Sequence, residues 1–212
     1  MPTLHKPATT ITDYLLTLEC AWFVWVLVGR STPGFVRSGF IALFASVAAA
    51  AFFGGTMHGF FPVTASTANR ALWTATLLSF GITAAAMFSV GTRLRFGAET
   101  TRKLTPVLAV GVAAYSGVVL FVSQDLLVAM VAYLAAAFFL MAVLLQDWRR
   151  RPSAGAVAGI LGIMLTLLAA LAQQSGVALH PVYFDHNVIY HVIQAVALYL
   201  FFRSALEVGE PH

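Results

Sequence analysis

Hydrophobic residues fall into seven blocks along the chain, separated by short stretches that hold most of the prolines and nearly all of the basic side chains. The blocks cover residues 11–28, 40–61, 68–90, 105–123, 126–145, 154–172 and 187–202. Each approaches the roughly 20 mostly apolar residues that an α-helix needs to cross a bilayer. Breakers stand between or at the edges of the blocks: Thr32-Pro33-Gly34, Phe61-Pro62, Pro106, Arg151-Pro152 and His180-Pro181. Small residues inside them, as in Ala48-Ala49-Ala50-Ala51 and Ala135-Ala136-Ala137, suit close helix approach where lipid removes the hydrophobic drive. The pattern predicts an all-α, polytopic seven-transmembrane bundle forming one domain over residues 1–212.

Sidedness follows from the basic residues. Alternate connections carry Arg30, Arg37, Arg93, Arg95, Arg102, Lys103, Arg149, Arg150, Arg151 and Arg203, while the other set carries only Lys6 and Arg70. Basic residues collect on the cytoplasmic side, so the N-terminus is expected outside and the C-terminus in the cytoplasm. Residues 1–10 lack the basic start and short apolar core of a cleavable signal, so the first block reads as a retained helix.

Composition agrees. The chain is 60 % hydrophobic and only 9 % charged, against about 25 % charged in a soluble domain. Its pI near 9.6 does not indicate nucleic-acid binding, because the basic residues lie in the connections. A single cysteine, Cys20, leaves no internal disulfide.

The chemistry concentrates in Asp185-His186-Asn187-Val188-Ile189-Tyr190-His191, at the opening of the last block, and in His58, near the outer end of the second. Ionisable groups in membrane spans mark functional sites by default. With N-terminus outside, His58 and His191 each lie roughly 5–6 Å below the outer ends of their helices. Zinc takes imidazole ligands, and catalytic sites keep three protein ligands plus water. His58, His186 and His191 supply that number. Residues five apart differ by about 140° around a helix, so His186 reaches a common ion only from the turn before a helix starting at Asn187. Otherwise Asn187, which shares a face with His191, completes the site. Asp185 either orients an imidazole and acts as base to a metal-bound water, or simply favours a helix start. Glu19, well inside the first block, is either hydrogen-bonded or an acid/base group, and shares the outer half with Asp13. Gln194 reads as a donor behind His191 or as an interhelical hydrogen bond.

Seven spans, His58 within Gly54-Gly55-Thr56-Met57-His58-Gly59, and Asp185, His186 and His191 at the start of span seven resemble the CREST superfamily of membrane hydrolases. That group includes alkaline ceramidases and the progestin and adipoQ receptors. The resemblance implies a zinc-dependent hydrolase of a lipid amide or ester in a bacterial cytoplasmic membrane, its zinc held by His58, His186 and His191 and a membrane lipid its partner; in that reading the catalytic proton shuttle is Asp185 or, from its place inside the first block, Glu19. Three departures stand out. Gly54 occupies the place of the group's serine, residues 68–90 hold no acidic residue, and His186 and His191 are five apart rather than four.

Two other classes fit the same residues. A haem carrier would use His58 and a histidine of span seven as axial ligands, and a receptor or transporter would use the histidines structurally. A retinal pump is excluded by the absence of a lysine in the last span.

Overall fold

A computed structural model describes residues 4–30, 35–180 and 183–208. The breaker Thr32-Pro33-Gly34, together with Pro181 and His212, lies outside them. The described residues form six helices: α1 (Pro7–Val28), α2 (Phe35–Phe60), α3 (Thr67–Phe121), α4 (Leu126–Arg150), α5 (Ala154–Ser175) and α6 (His186–Glu207). All six are long and apolar enough to cross a membrane. In lipid every backbone polar group must find its partner within the segment, and the helix is the local way to achieve that.

Two predicted spans are one element. α3 has 55 residues, which would extend about 80 Å if straight, far beyond the roughly 30 Å hydrocarbon core. It folds in two at Gly97, the single non-helical position, at φ 80° and ψ −176°. Only glycine adopts such a pair of angles cheaply. The halves, 67–96 and 98–121, pack on each other: the Tyr115 hydroxyl donates to the Leu77 carbonyl at 2.8 Å, and its ring lies against Gly81. Pro106, expected as a breaker, sits inside the second half without ending it.

Side chains fix several helix starts. Ser66, Asp125, Ser153 and Asp185 each accept from a backbone N–H of the first turn, satisfying donors that the helix itself leaves free. The last helix therefore begins at His186 with Asp185 as its cap, rather than at Asn187 capped by its own side chain.

The core draws on all six helices, with Met87 and Val90 of α3, Leu140 and Leu144 of α4 and Ile163 of α5 in one cluster with residues of α1, α2 and α6. Phe23 of α1 stacks on Phe202 of α6, with centroids 4.4 Å apart, and Phe40 and Phe44 of α2 are buried beside them. One end of the bundle gathers the start of α1, the end of α2, both ends of α3, and the facing ends of α4, α5 and α6. Hydrogen bonds tie this end together: His5 N to Gly59 O at 3.0 Å, Trp73 Nε1 to Gln124 O at 2.8 Å, and Gln173 Nε2 to Asn187 Oδ1 at 3.3 Å. The histidines expected at one depth lie at this end.

Candidate functional site

The first and last helices meet along a polar seam. Asp13 Oδ1 of α1 lies 3.1 Å from His191 Nε2 of α6, and the two residues are only 5 % and 7 % exposed. On the other edge of the imidazole, Thr12 Oγ1 is 2.7 Å from Nδ1. The Thr12 hydroxyl also lies 3.0 Å from Ala8 O and 2.9 Å from Thr9 O. Its single hydrogen goes to those carbonyls, so its oxygen accepts from Nδ1–H. That assigns the Nε2 lone pair to the Asp13 side, where the lone pair and a carboxylate oxygen face each other. Two acceptors at that separation repel unless something positive or protonic lies between them.

Close approach of α1 and α2 makes this geometry possible. A Cβ built on Gly55 would come within 2.7 Å of Asp13 Cβ, so only glycine lets α1 come this near. Gly54, at the position of the expected serine, has room: its built Cβ is 3.9 Å from Asp13 Oδ1.

Asp13, His58 and His191 all line one partly open cavity of about 160 Å³ between the helices. Its other walls are mostly apolar and aromatic, with Trp73, Phe80, Tyr133 and Tyr190 among them. Gln173, Asn187, Gln194 and Thr166 add polar groups. His58 is half-buried and makes no hydrogen bond among the described residues. Asp13 Oδ2 and Gln194 Oε1 are buried without a hydrogen-bond partner among the described residues. A mostly apolar cavity with a few polar lining groups of this kind is where a ligand binds by default.

The other expected site residues lie apart from it. His186 opens α6 but is not a lining residue, whereas Asn187 is. Asp185 caps α6, accepting from the amides of Asn187 at 3.1 Å and Val188 at 3.0 Å, and Thr9 Oγ1 donates to its Oδ2 at 3.5 Å. Partial burial works to raise the pKa of this carboxyl, but the Val188 amide, the neighbouring His186 and Asn187 outweigh it and hold it below the ordinary value. Glu19 is half-buried on α1 and does not line the cavity. Six residues beyond Asp13, it points about 120° away around the helix.

Among the described residues no three of His, Cys, Asp and Glu come together as a metal-binding group. The three-histidine zinc set therefore does not fit this arrangement: His58 and His191 share the cavity, and His186 does not join them. Thr12, Thr166, Tyr133 and Tyr190 are the cavity or seam residues that sequence reasoning did not assign. Tyr190 reads from sequence as an interfacial or packing aromatic, and nothing in the sequence marks Tyr133. Thr12 is one of five threonines in the first 17 residues, and nothing singled it out without knowing that α6 lies opposite.

Comparison with known families gives one match, to a family of unknown function, over residues 8–210. The chain belongs to the DUF6962 family. No match was found to a curated protein or to a solved structure. The match runs from the second residue of α1 to beyond the end of α6, so both halves of the Asp13–His191 seam fall within the DUF6962 region.

Proposed function

We propose that the chain crosses the membrane seven times, with α3 contributing two crossings and the N-terminus outside, and that its cavity binds and hydrolyses a lipid amide or ester. The fold-back at Gly97 puts Arg93, Arg95, Arg102 and Lys103 at the same end as Arg149, Arg150 and Arg151, which supports this sidedness. Single cysteines in place of Lys6 and Arg150 are then labelled by an impermeant reagent from opposite faces; labelling from one face would refute the topology.

The observation that carries the chemical reading is the Asp13–His191 pair on the wall of an apolar cavity, with His58 also lining it. The pair shares one proton between Nε2 and Oδ1. As a water attacks the carbonyl carbon, the pair takes the proton that the water loses. It then returns a proton to the amine or alcohol that departs when the C–N or C–O bond breaks. Thr12 holds the imidazole in the tautomer this requires, and His58 supplies an N–H to the carbonyl oxygen as charge develops there.

The test is release of fatty acid from ceramide and from long-chain acyl esters in liposomes carrying the purified protein, with metal content measured on the same samples. His191→Gln is expected to lose on the order of 100-fold in rate, with no stoichiometric metal in either protein. Release no greater than from protein-free liposomes would sink the hydrolase reading. Stoichiometric zinc lost in His191→Gln would replace the metal-free mechanism with a zinc centre.

A further inference from the structure

We infer that a second site, an open groove at the arginine-rich end of the bundle, holds a phospholipid with an anionic headgroup. The groove shares no residue with the Asp13–His191 cavity, and its occupant does not depend on what that cavity does. It lies between the end of α4, the start of α5 and the end of α6, with a volume of about 530 Å³. One part of it is apolar. Val157 and Leu161, a turn apart on α5, face Leu200 of α6 across the groove. Leu161 follows Ala154, the first residue of α5, by seven positions, so the apolar wall reaches about 10 Å along the helix. The mouth is polar, with Arg203 and Glu207 of α6 and Ser153, the cap of α5. Trp148 and Tyr199 also line it, and aromatic side chains of this kind collect at membrane–water interfaces.

Charge selects the headgroup. Between the lining positions Trp148 and Pro152 stand Arg149, Arg150 and Arg151, all exposed. With Arg203 they outnumber the neighbouring acids, Asp147 and Glu207, so the mouth is net positive. Arg203 Nη2 meets Glu207 Oε1 only at 3.8 Å, beyond hydrogen-bond distance, and such a half-exposed pair contributes little. The guanidinium has five donors in a planar fork that matches phosphate oxygens. Even with Tyr199 hydrogen-bonded to it, donors remain for a ligand. Basic pockets between membrane helices bind anionic headgroups for this reason. A zwitterionic headgroup brings a cation along with its phosphate, and the arginines repel that cation. A second copy of the chain would bring the same arginines to this face, which opposes its docking here.

The experiment titrates the full-length protein in detergent with dioleoylphosphatidylglycerol and with dioleoylphosphatidylcholine, counting bound lipid by native mass spectrometry. The glycerol lipid should saturate at one copy per chain and bind at least about tenfold tighter than the choline lipid. Arg203→Gln should weaken it about fivefold, the worth of one basic residue at an anionic surface. Leu161→Trp fills the apolar wall without changing charge and should weaken binding of both lipids. Lys103→Gln removes a charge from the same end but outside the groove, where Lys103 pairs with Glu99 at 2.8 Å, and should leave binding unchanged. Arg203 and Leu161 are exposed on separate helices, so either variant serves if the other does not fold. Equal affinity for the two lipids, uptake that does not saturate at one copy, or Lys103→Gln weakening binding as much as Arg203→Gln would overturn the inference. A lipid-free dimer that dissociates in Leu161→Trp would give the groove to a second copy and overturn it too.

Discussion

The Asp13–His191 contact carries the site, and a double-mutant cycle measures its strength. At 3.1 Å and an effective dielectric constant of about 20, a fully charged pair attracts by about 5 kcal/mol, a ceiling that desolvation offsets by several kcal/mol per ion. A pair sharing one proton without net charge is worth about 1 kcal/mol net, plus about 1–3 kcal/mol for whichever group is left unsatisfied when its partner goes. Asp13→Ala and His191→Ala are each expected to destabilise by about 2–4 kcal/mol, the imidazole deletion also leaving a void. The double variant should lose less than the sum by about 1–3 kcal/mol, as is usual for directly bonded partners. Reversible unfolding in mixed micelles, followed by helical circular dichroism, gives all four corners. Additivity within about 0.5 kcal/mol would show that the two groups do not interact, and the acid–base chemistry assigned to the pair would fall with it.

Two other substitutions probe the backbone and the cap. Gly97→Ala forces a side chain onto φ 80° and should cost about 1–3 kcal/mol. The cost is in the backbone, because the nearest atom to the new Cβ is Arg93 Nη1 at 3.7 Å. Gly111→Ala, helical and with nothing within 4 Å, should instead stabilise by about 0.5–1 kcal/mol, and equal signs in a melt would contradict this account. For Asp185, whose folded pKa is lowered, the ionised carboxylate adds stability above the unfolded pKa of about 3.9, and that contribution disappears as pH falls through the folded value. Asp185→Asn should therefore melt below the parent protein at pH 7, and the gap should close on acidification; a constant gap would rule out the carboxylate charge as its source.

The helices were legible because each apolar block is long, while the caps Ser66, Asp125 and Ser153 emerge only from the structure. The turn between the third and fourth blocks was not. Residues 91–104 are polar enough to read as a loop, yet they continue the helix from both sides and leave the reversal to one glycine. His58 and His191 were placed at one depth from sidedness and residue rise alone, and they do line one cavity. Their partner was harder to find. Asp13 was visible as a carboxylate in the outer half of α1, but its pairing with His191 depends on which helices are neighbours. That neighbourhood is set by Gly55 and by the Phe23–Phe202 stack, neither of which carries a local signature. His186 drew attention by adjacency to Asp185, and helix geometry turned it away while bringing Asn187 in.

Because Thr12 meets His191 across 179 positions of sequence, the polar seam has a consequence for biogenesis. At about 5–20 residues per second, some 10–40 s of translation separate the two. Over that interval the first helix, long and apolar enough to cross a membrane, carries a carboxyl group that has no imidazole opposite it. Early retention of α1 must therefore come from α2, whose glycines let it pack against Asp13, or from the insertion machinery, and the last helix to emerge is the one that locks the first in place.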